Sequence, residues 1–335
     1  MTQCRSDSML KRRALIGASG LWVIGQAALA QPRRKVYRIG LLSAGAASEG
    51  PQPQNPYIRA FLRGMQERGY VYGQHFVTVA RGAEGKPERY PIIAAELVQL
   101  KVDVIAAAGP SLLALKQATT TIPVVMAAAG GDPVEEGLIK SLSHPGGNFT
   151  GLSLQHPDST GKRLELLKEL VPGSAPVAVL RDQGTGTQWQ AALAAAQTRG
   201  WKLLSFEVSD AAALDSVFKS VTDARAGALL VLTGQILFPH RAQVADLAAR
   251  NRLPAIYSLR GYVDAGGLIS YGADLTDVWR QAARFVDKIL KGAKPADLPV
   301  EQPTRFELTI NLKAAKALGL TIPYALRLRA NEMIE

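Results

Sequence analysis

The sequence predicts an α/β fold of two lobes, each a doubly wound parallel sheet, joined by several crossings. Three observations carry this. From Val36 on, short β-branched runs alternate with segments of helical periodicity. The alternation then repeats in the same style. No low-complexity stretch or long linker separates the two runs, which leaves short crossings as the connection.

In the first run, strands are expected at 36–43, 76–80, 102–108 and 122–128. Residues 57–68 form a helical pattern that stops at Gly69, where a glycine adopts positive φ cheaply. Residues 90–100 carry Pro91 in the first turn, where its missing N–H does no harm, and 111–118 is a third helix. The second run has strands at 176–181, 201–208, 227–233 and 253–258. Its helices are at 161–170, 188–199, 214–224 and 239–251. Segments 104–131 and 228–258 share one plan: strand, glycine loop, helix, proline, strand. A late helix at 274–292, capped by Asp274 or Thr276, precedes a strand at 305–311 and a helix at 312–320. Such trailing elements are expected to cross back between lobes. The first lobe is then 36–150 plus about 273–300, and the second 151–272 plus about 301–325.

The N-terminus stands apart from this pattern. Lys11, Arg12 and Arg13 precede an apolar run at 14–30 that is too short and glycine-rich for a membrane span. It ends in Ala28-Leu29-Ala30, the small-x-small pattern of a signal-peptide cleavage site, so residues 1–30 read as an export signal with Gln31 as the first mature residue. Arg12-Arg13 fits a twin-arginine signal as well as an ordinary Sec signal. The expected location is the periplasm. The sole cysteine, Cys4, lies before the apolar run, so neither a lipid anchor nor a disulfide is expected in the mature chain. The signal carries Arg5, Lys11, Arg12 and Arg13 against Asp7, and its removal takes the formal charge from +11 to +8. The remaining positive residues are scattered, without the stripe and reading motif that nucleic acid requires, and read as a solvated surface.

A catalytic constellation is not apparent. The four histidines show no ligand spacing, and no nucleophile elbow, Walker loop or dinucleotide fingerprint is present. Neither a metal nor a cofactor is expected. What remains are glycine-rich loops at strand ends: Ser43-Ala44-Gly45, Gly109-Pro110-Ser111, Gly130-Gly131-Asp132-Pro133 and Thr233-Gly234-Gln235. Glycines there let a ligand approach the backbone, and ligands of open α/β sheets bind at strand C-terminal ends. The candidate binding residues are therefore Ser43, Gly109, Ser111, Gly131, Asp132, Thr233, Gln235 and Tyr257. Ser43, Ser111 and Asp132 would hold the polar end of a ligand from the first lobe. Tyr257 and the loop at 233–235 would close over it from the second. Asp132 has two readings, a partner for a ligand ammonium and a helix N-cap ahead of Pro133.

The stretch GGDPVEEGLIKSLSHPGGNFTGLS at 130–153 resembles the tryptophan/tyrosine-type ABC transporter substrate-binding family. There Gly-Asp-Pro-Val, a short helix, a Pro-Gly-Gly-Asn turn and Thr-Gly recur in that order. Further matching stretches are FLRGMQERGYVYGQ (61–74), GKRLELLKELVP (161–172), LPAIYS (253–258), AGGLISYGADLTDVWRQAA (265–283) and residues 289–323. The resemblance implies a type I periplasmic-binding fold that closes on a small molecule, such as an amino acid or other small carboxylate. It also implies delivery to an ABC permease and its ATPase, by a receptor expected to be monomeric. Two departures put ligand identity in doubt. Arg181-Asp182-Gln183-Gly184 replaces an Asn-Pro-rich loop, and Ser258, Leu259 and Gly261 replace an acidic/aromatic pattern. Two other readings stay open: a sensory receptor built on the same clamshell, and a bilobal enzyme. A repressor of this fold conflicts with the export signal and the lack of a helix-turn-helix.

Overall fold

The computed structural model describes residues 35–154, 157–173 and 175–335. The expected export signal lies outside the described residues. Val36–Glu335 forms one compact unit. Its elements run β1 (Tyr37–Ser43), α1 (Pro56–Gln66), β2 (Phe76–Gly82), α2 (Tyr90–Gln99), β3 (Val104–Ala108), α3 (Ser111–Ala118), β4 (Val124–Ala129) and β5 (Phe149–Ser153). The chain continues with α4 (Pro157–Leu170), β6 (Val177–Arg181), α5 (Gly186–Gln197), β7 (Leu203–Glu207), α6 (Leu214–Asp223), β8 (Ala228–Val231), α7 (Arg241–Arg250), β9 (Ala255–Tyr257), α8 (Arg260–Asp264) and β10 (Ile269–Ala273). It ends with α9 (Leu275–Leu290), β11 (Phe306–Asn311), α10 (Leu312–Ala317), α11 (Tyr324–Arg329) and β12 (Glu332–Ile334).

Two sheets result. The first has the order β2-β1-β3-β4-β5 and is parallel throughout. The second runs β12-β11-β10-β9-β8-β6-β7, with β10 and β11 as its one antiparallel pair. Each sheet is covered on both faces, as parallel sheets must be. In the first lobe, α1 and α9 fill one side and α2 and α3 the other. In the second, α4, α5, α10 and α11 pack on one face and α6, α7 and α8 on the other.

Helix α9 shows how the late elements cross back. Val278, Trp279, Ala282, Ala283, Phe285 and Val286 form one buried stripe, and that stripe joins the first lobe's core beside α1. Gly64 permits the close approach of α1 and α9, since a Cβ there would lie 2.3 Å from the Arg280 carbonyl oxygen. The chain then returns, and β11 pairs with β10 of the second sheet.

The structure adds strands that the β-branched pattern does not mark. β5 and β10 each contain a glycine at a point of close backbone approach. A Cβ at Gly151 would sit 2.3 Å from the Met126 carbonyl, and one at Gly272 would sit 1.6 Å from that of Ser258. The short helix expected after Gly-Asp-Pro-Val is a run of turns instead. Glu136 N–H reaches the Asp132 carbonyl at 2.9 Å and Leu138 N–H that of Pro133 at 2.8 Å, but the winding stops there.

Candidate functional site

Strands of both lobes point their C-terminal ends at one another, and a cavity of about 340 Å³ lies between them. Ser43, Ala44 and Gly45 line it after β1, Gly109 and Pro110 after β3, and Gly130 after β4. Thr233, Gly234 and Phe238 face them from beyond β8, and Leu259, Gly261 and Asp264 from beyond β9. Leu154, Leu275 and Trp279 close it where the chain crosses between lobes. This volume lies near the small end of the range for small-molecule sites. The lining is mainly apolar and aromatic, with a few polar groups, as ligand orientation requires.

The sequence candidates separate into three groups. Ser43, Gly109 and Thr233 line the cavity. Thr233 is held by Gln188 of α5, whose side-chain amide donates to the Thr233 carbonyl at 2.7 Å and accepts from its N–H at 3.0 Å. That buried amide acts as one more strand partner. Gln188→Leu is expected to leave both backbone groups unsatisfied and cost about 2–4 kcal/mol of stability, measured by urea denaturation. Gly109 adopts φ +61°, which suits glycine at the sharp turn into α3.

Gly131, Asp132 and Gln235 gather beside the cavity, where the lobes touch. Asp132 Oδ1 accepts from the N–H groups of Val134 (2.8 Å) and Glu135 (3.3 Å), so it caps the turn that follows. Its Oδ2 lies 2.8 Å from the Thr187 hydroxyl of α5, which also lies 3.0 Å from Glu135 Oε1. Asp132 N–H donates to the Gly184 carbonyl at 3.1 Å. Glu136 completes the junction by accepting from the Gln235 side-chain amide at 2.5 Å. Gly131 leaves room for that bridge, because a Cβ there would lie 1.8 Å from Glu136 Oε1. The capping reading of Asp132 thus has direct geometry, and its carboxylate does not line the cavity.

Ser111 and Tyr257 lie elsewhere. Ser111 is buried, with its hydroxyl donating to the Ala108 carbonyl at 2.9 Å. Tyr257 is fully buried and stacks on Tyr262, with ring centroids 4.6 Å apart. Burial pushes its phenol above the ordinary tyrosine range. Tyr257 ends β9 inside the core that α6, α7 and α8 cover, and it is Leu259 and Gly261, beyond the strand end, that line the cavity.

Several residues at the site are not among the sequence candidates. Asn55 caps α1 by accepting from Tyr57 and Ile58 N–H while lining the cavity. Tyr57 lines it too, and its phenol is pushed up first by burial and then by the Asp264 charge. Arg241 opens α7 and also lines the cavity. Asp182 is buried behind Gly234, with Oδ2 accepting from Ile236 N–H at 2.6 Å and Leu237 N–H at 3.0 Å. Among the described residues, no cluster has the make-up of a metal site and no helix is long and apolar enough to cross a membrane.

Comparison with known proteins bears on the same arrangement. A model of the ABC transporter substrate binding protein family matches residues 55–334. A tyrosine-binding protein of Clostridioides difficile is 29% identical over 266 residues, covering 78% of this chain and 76% of the relative. The solved structure of an ABC domain in complex with L-Trp from Streptococcus pneumonia superposes with a TM-score of 0.77 at 28% identity, covering 90% of this chain and all of that one. A conserved domain protein from Vibrio cholerae gives the same TM-score and identity, over 89% of this chain and all of its own. The fold is that of type I periplasmic binding proteins, and the chain belongs to the ABC transporter substrate-binding protein family.

Proposed function

We propose that this chain is an exported, monomeric receptor that closes its lobes on a small carboxylate in the cavity between them and presents the closed form to an ABC permease. The observation that carries this is the cavity's position: both lobes line it with strand C-terminal ends, and it is shut by hydrogen bonds between them. Ser43, Gly109 and Thr233 supply polar contacts in this reading. The rings of Tyr57, Phe238 and Trp279 accommodate a flat apolar body. The relatives named for tyrosine and solved with L-Trp support an aromatic carboxylate as the ligand class. Delivery to a permease, rather than signalling, follows the family.

A thermal-shift screen of amino acids, aromatic acids and small aliphatic acids tests the reading. A cognate ligand at 100 times its dissociation constant adds about 2.7 kcal/mol of stability. It should also compact the particle in small-angle scattering. Gly45→Trp is the control for location, because a Cβ at this lining position meets nothing within 4 Å and the added ring fills open space. Binding that survives Gly45→Trp, or stabilisation with no change in dimensions, would overturn the reading.

A further inference from the structure

We infer that Arg241 is the carboxylate-reading residue of this site, and that the ligand is a net anion rather than a zwitterion. The inference rests on the cavity being the ligand site. Arg241 and Asp264 are the two charged residues that line it. They are not equivalent. Asp264 pairs with Arg260 at 3.3 Å, a guanidinium that it shares with Glu332. Arg241 has no carboxylate within 4.0 Å among the described residues.

The guanidinium is nonetheless held in place. It lies over the Phe238 ring, 5.1 Å from its centroid, and donates to the Phe238 carbonyl at 3.3 Å. Gly261 leaves space for this stack, because a Cβ there would come within 3.2 Å of the Phe238 ring and 3.4 Å of Arg241 Cδ. One N–H of five is therefore used, and the remaining fork is free to pair with a planar anion in two parallel bonds. The fold itself gives no reason for a cation here. Arg241 is the first residue of α7, where the positive end of the helix disfavours it. An anion bound beside it would offset both charges. Among the described residues, Arg241 is thus the charged lining side chain without an ion-pair partner, beside apolar and aromatic walls. A monocarboxylate fits that unpaired cation, whereas an α-ammonium meets an acid that already has an ion-pair partner.

The test uses matched probes: 3-phenylpropionate, its amide and L-phenylalanine, with the corresponding benzoate and butyrate series, titrated by calorimetry. At least one acid is expected to bind about thirtyfold or more tightly than its amide and its amino acid. Arg241→Gln should remove that preference, and Arg241→Lys should restore part of it, as a point charge without the fork. Circular dichroism melts confirm that the variants fold. Amides binding as well as acids, amino acids binding best, or acid affinity unchanged in Arg241→Gln would each overturn the inference. Failure here with Gly45→Trp still blocking binding would leave the cavity as the ligand site. Binding indifferent to Gly45→Trp would remove the site itself.

Discussion

Asp182→Ala should be the most damaging single substitution near the site, costing about 3–5 kcal/mol of stability and with it the ordered wall of the cavity. The carboxylate is 1% exposed. Its Oδ2 satisfies two backbone amides of the loop after β8, Ile236 and Leu237. Truncation strands both donors where water cannot replace the acceptor, at about 1–3 kcal/mol each, and opens a void as well. The loop it holds carries Gly234 and Phe238, which line the cavity, so ligand affinity should fall together with the melting temperature. Gly234 explains why the acid fits so closely: a Cβ at that position would lie 1.5 Å from Asp182 Oδ1.

Asp182→Asn separates the two causes. It keeps an oxygen for the loop amides and removes the charge that burial disfavours. Burial pushes the Asp182 carboxyl up to about 6, overcoming the downward pull of the Leu237, Ile236 and Gln235 N–H groups. Oδ1 has no hydrogen-bond partner among the described residues, so the asparagine amide would bring a donor without an acceptor. The expected loss is about 1 kcal/mol, several times smaller than for alanine. Equal melting temperatures for the two variants would show that the loop amides do not depend on this side chain. Thermal and urea melts read both.

Much of the scaffold was legible because its signals are local. The apolar stripe of α1, the stop at Gly69 and the apolar run of β1 each reside within a dozen residues. The strand-end rule likewise placed Ser43, Gly109 and Thr233 at the cavity. β5 and β10 escaped because glycine breaks the β-branched pattern, and the glycine is there for a neighbour distant in sequence. α8 is too short to show a helical period, yet it brings Gly261 and Asp264 to the cavity. Arg241 reads as one more cation on a helix until the fold stacks it on Phe238. Glu136 and Gln235 are 99 residues apart, and only lobe closure makes them partners. Tyr257 shows the converse: it stands at a strand end as the rule asks, yet its ring is stacked on Tyr262 in the core, a contact that only the fold of α8 creates.

The lobe junction should make closure depend on pH, with affinity highest in mild acid. Glu136 bridges to Gln235 through Oε1, while its buried Oε2 has no hydrogen-bond partner among the described residues. Burial pushes its carboxyl up to about 7. The Gln235 amide pulls the other way, and the carboxylates of Asp132, Asp182 and Glu135 raise it further. Lys116 faces this segment and donates to the Glu136 backbone carbonyl at 3.1 Å. A carboxyl with a raised pKa holds its proton more tightly in the closed, folded protein than in the open or unfolded chain. Its contribution is therefore fully present below the ordinary carboxylate value and is lost as pH rises through the folded value. For Glu136 that window runs from 4.5 to about 7, and for Asp182 from 3.8 to about 6. A ligand whose own charge is constant should bind about tenfold more weakly at about pH 8 than at about pH 5, the factor that one pKa unit between open and closed forms implies. Glu136→Gln keeps an acceptor for Gln235 but cannot ionise, so its affinity should stay nearly flat over the upper half of that range. Calorimetric titrations of both proteins across the range decide this, and parallel pH profiles for the two would rule out Glu136 as the titrating group.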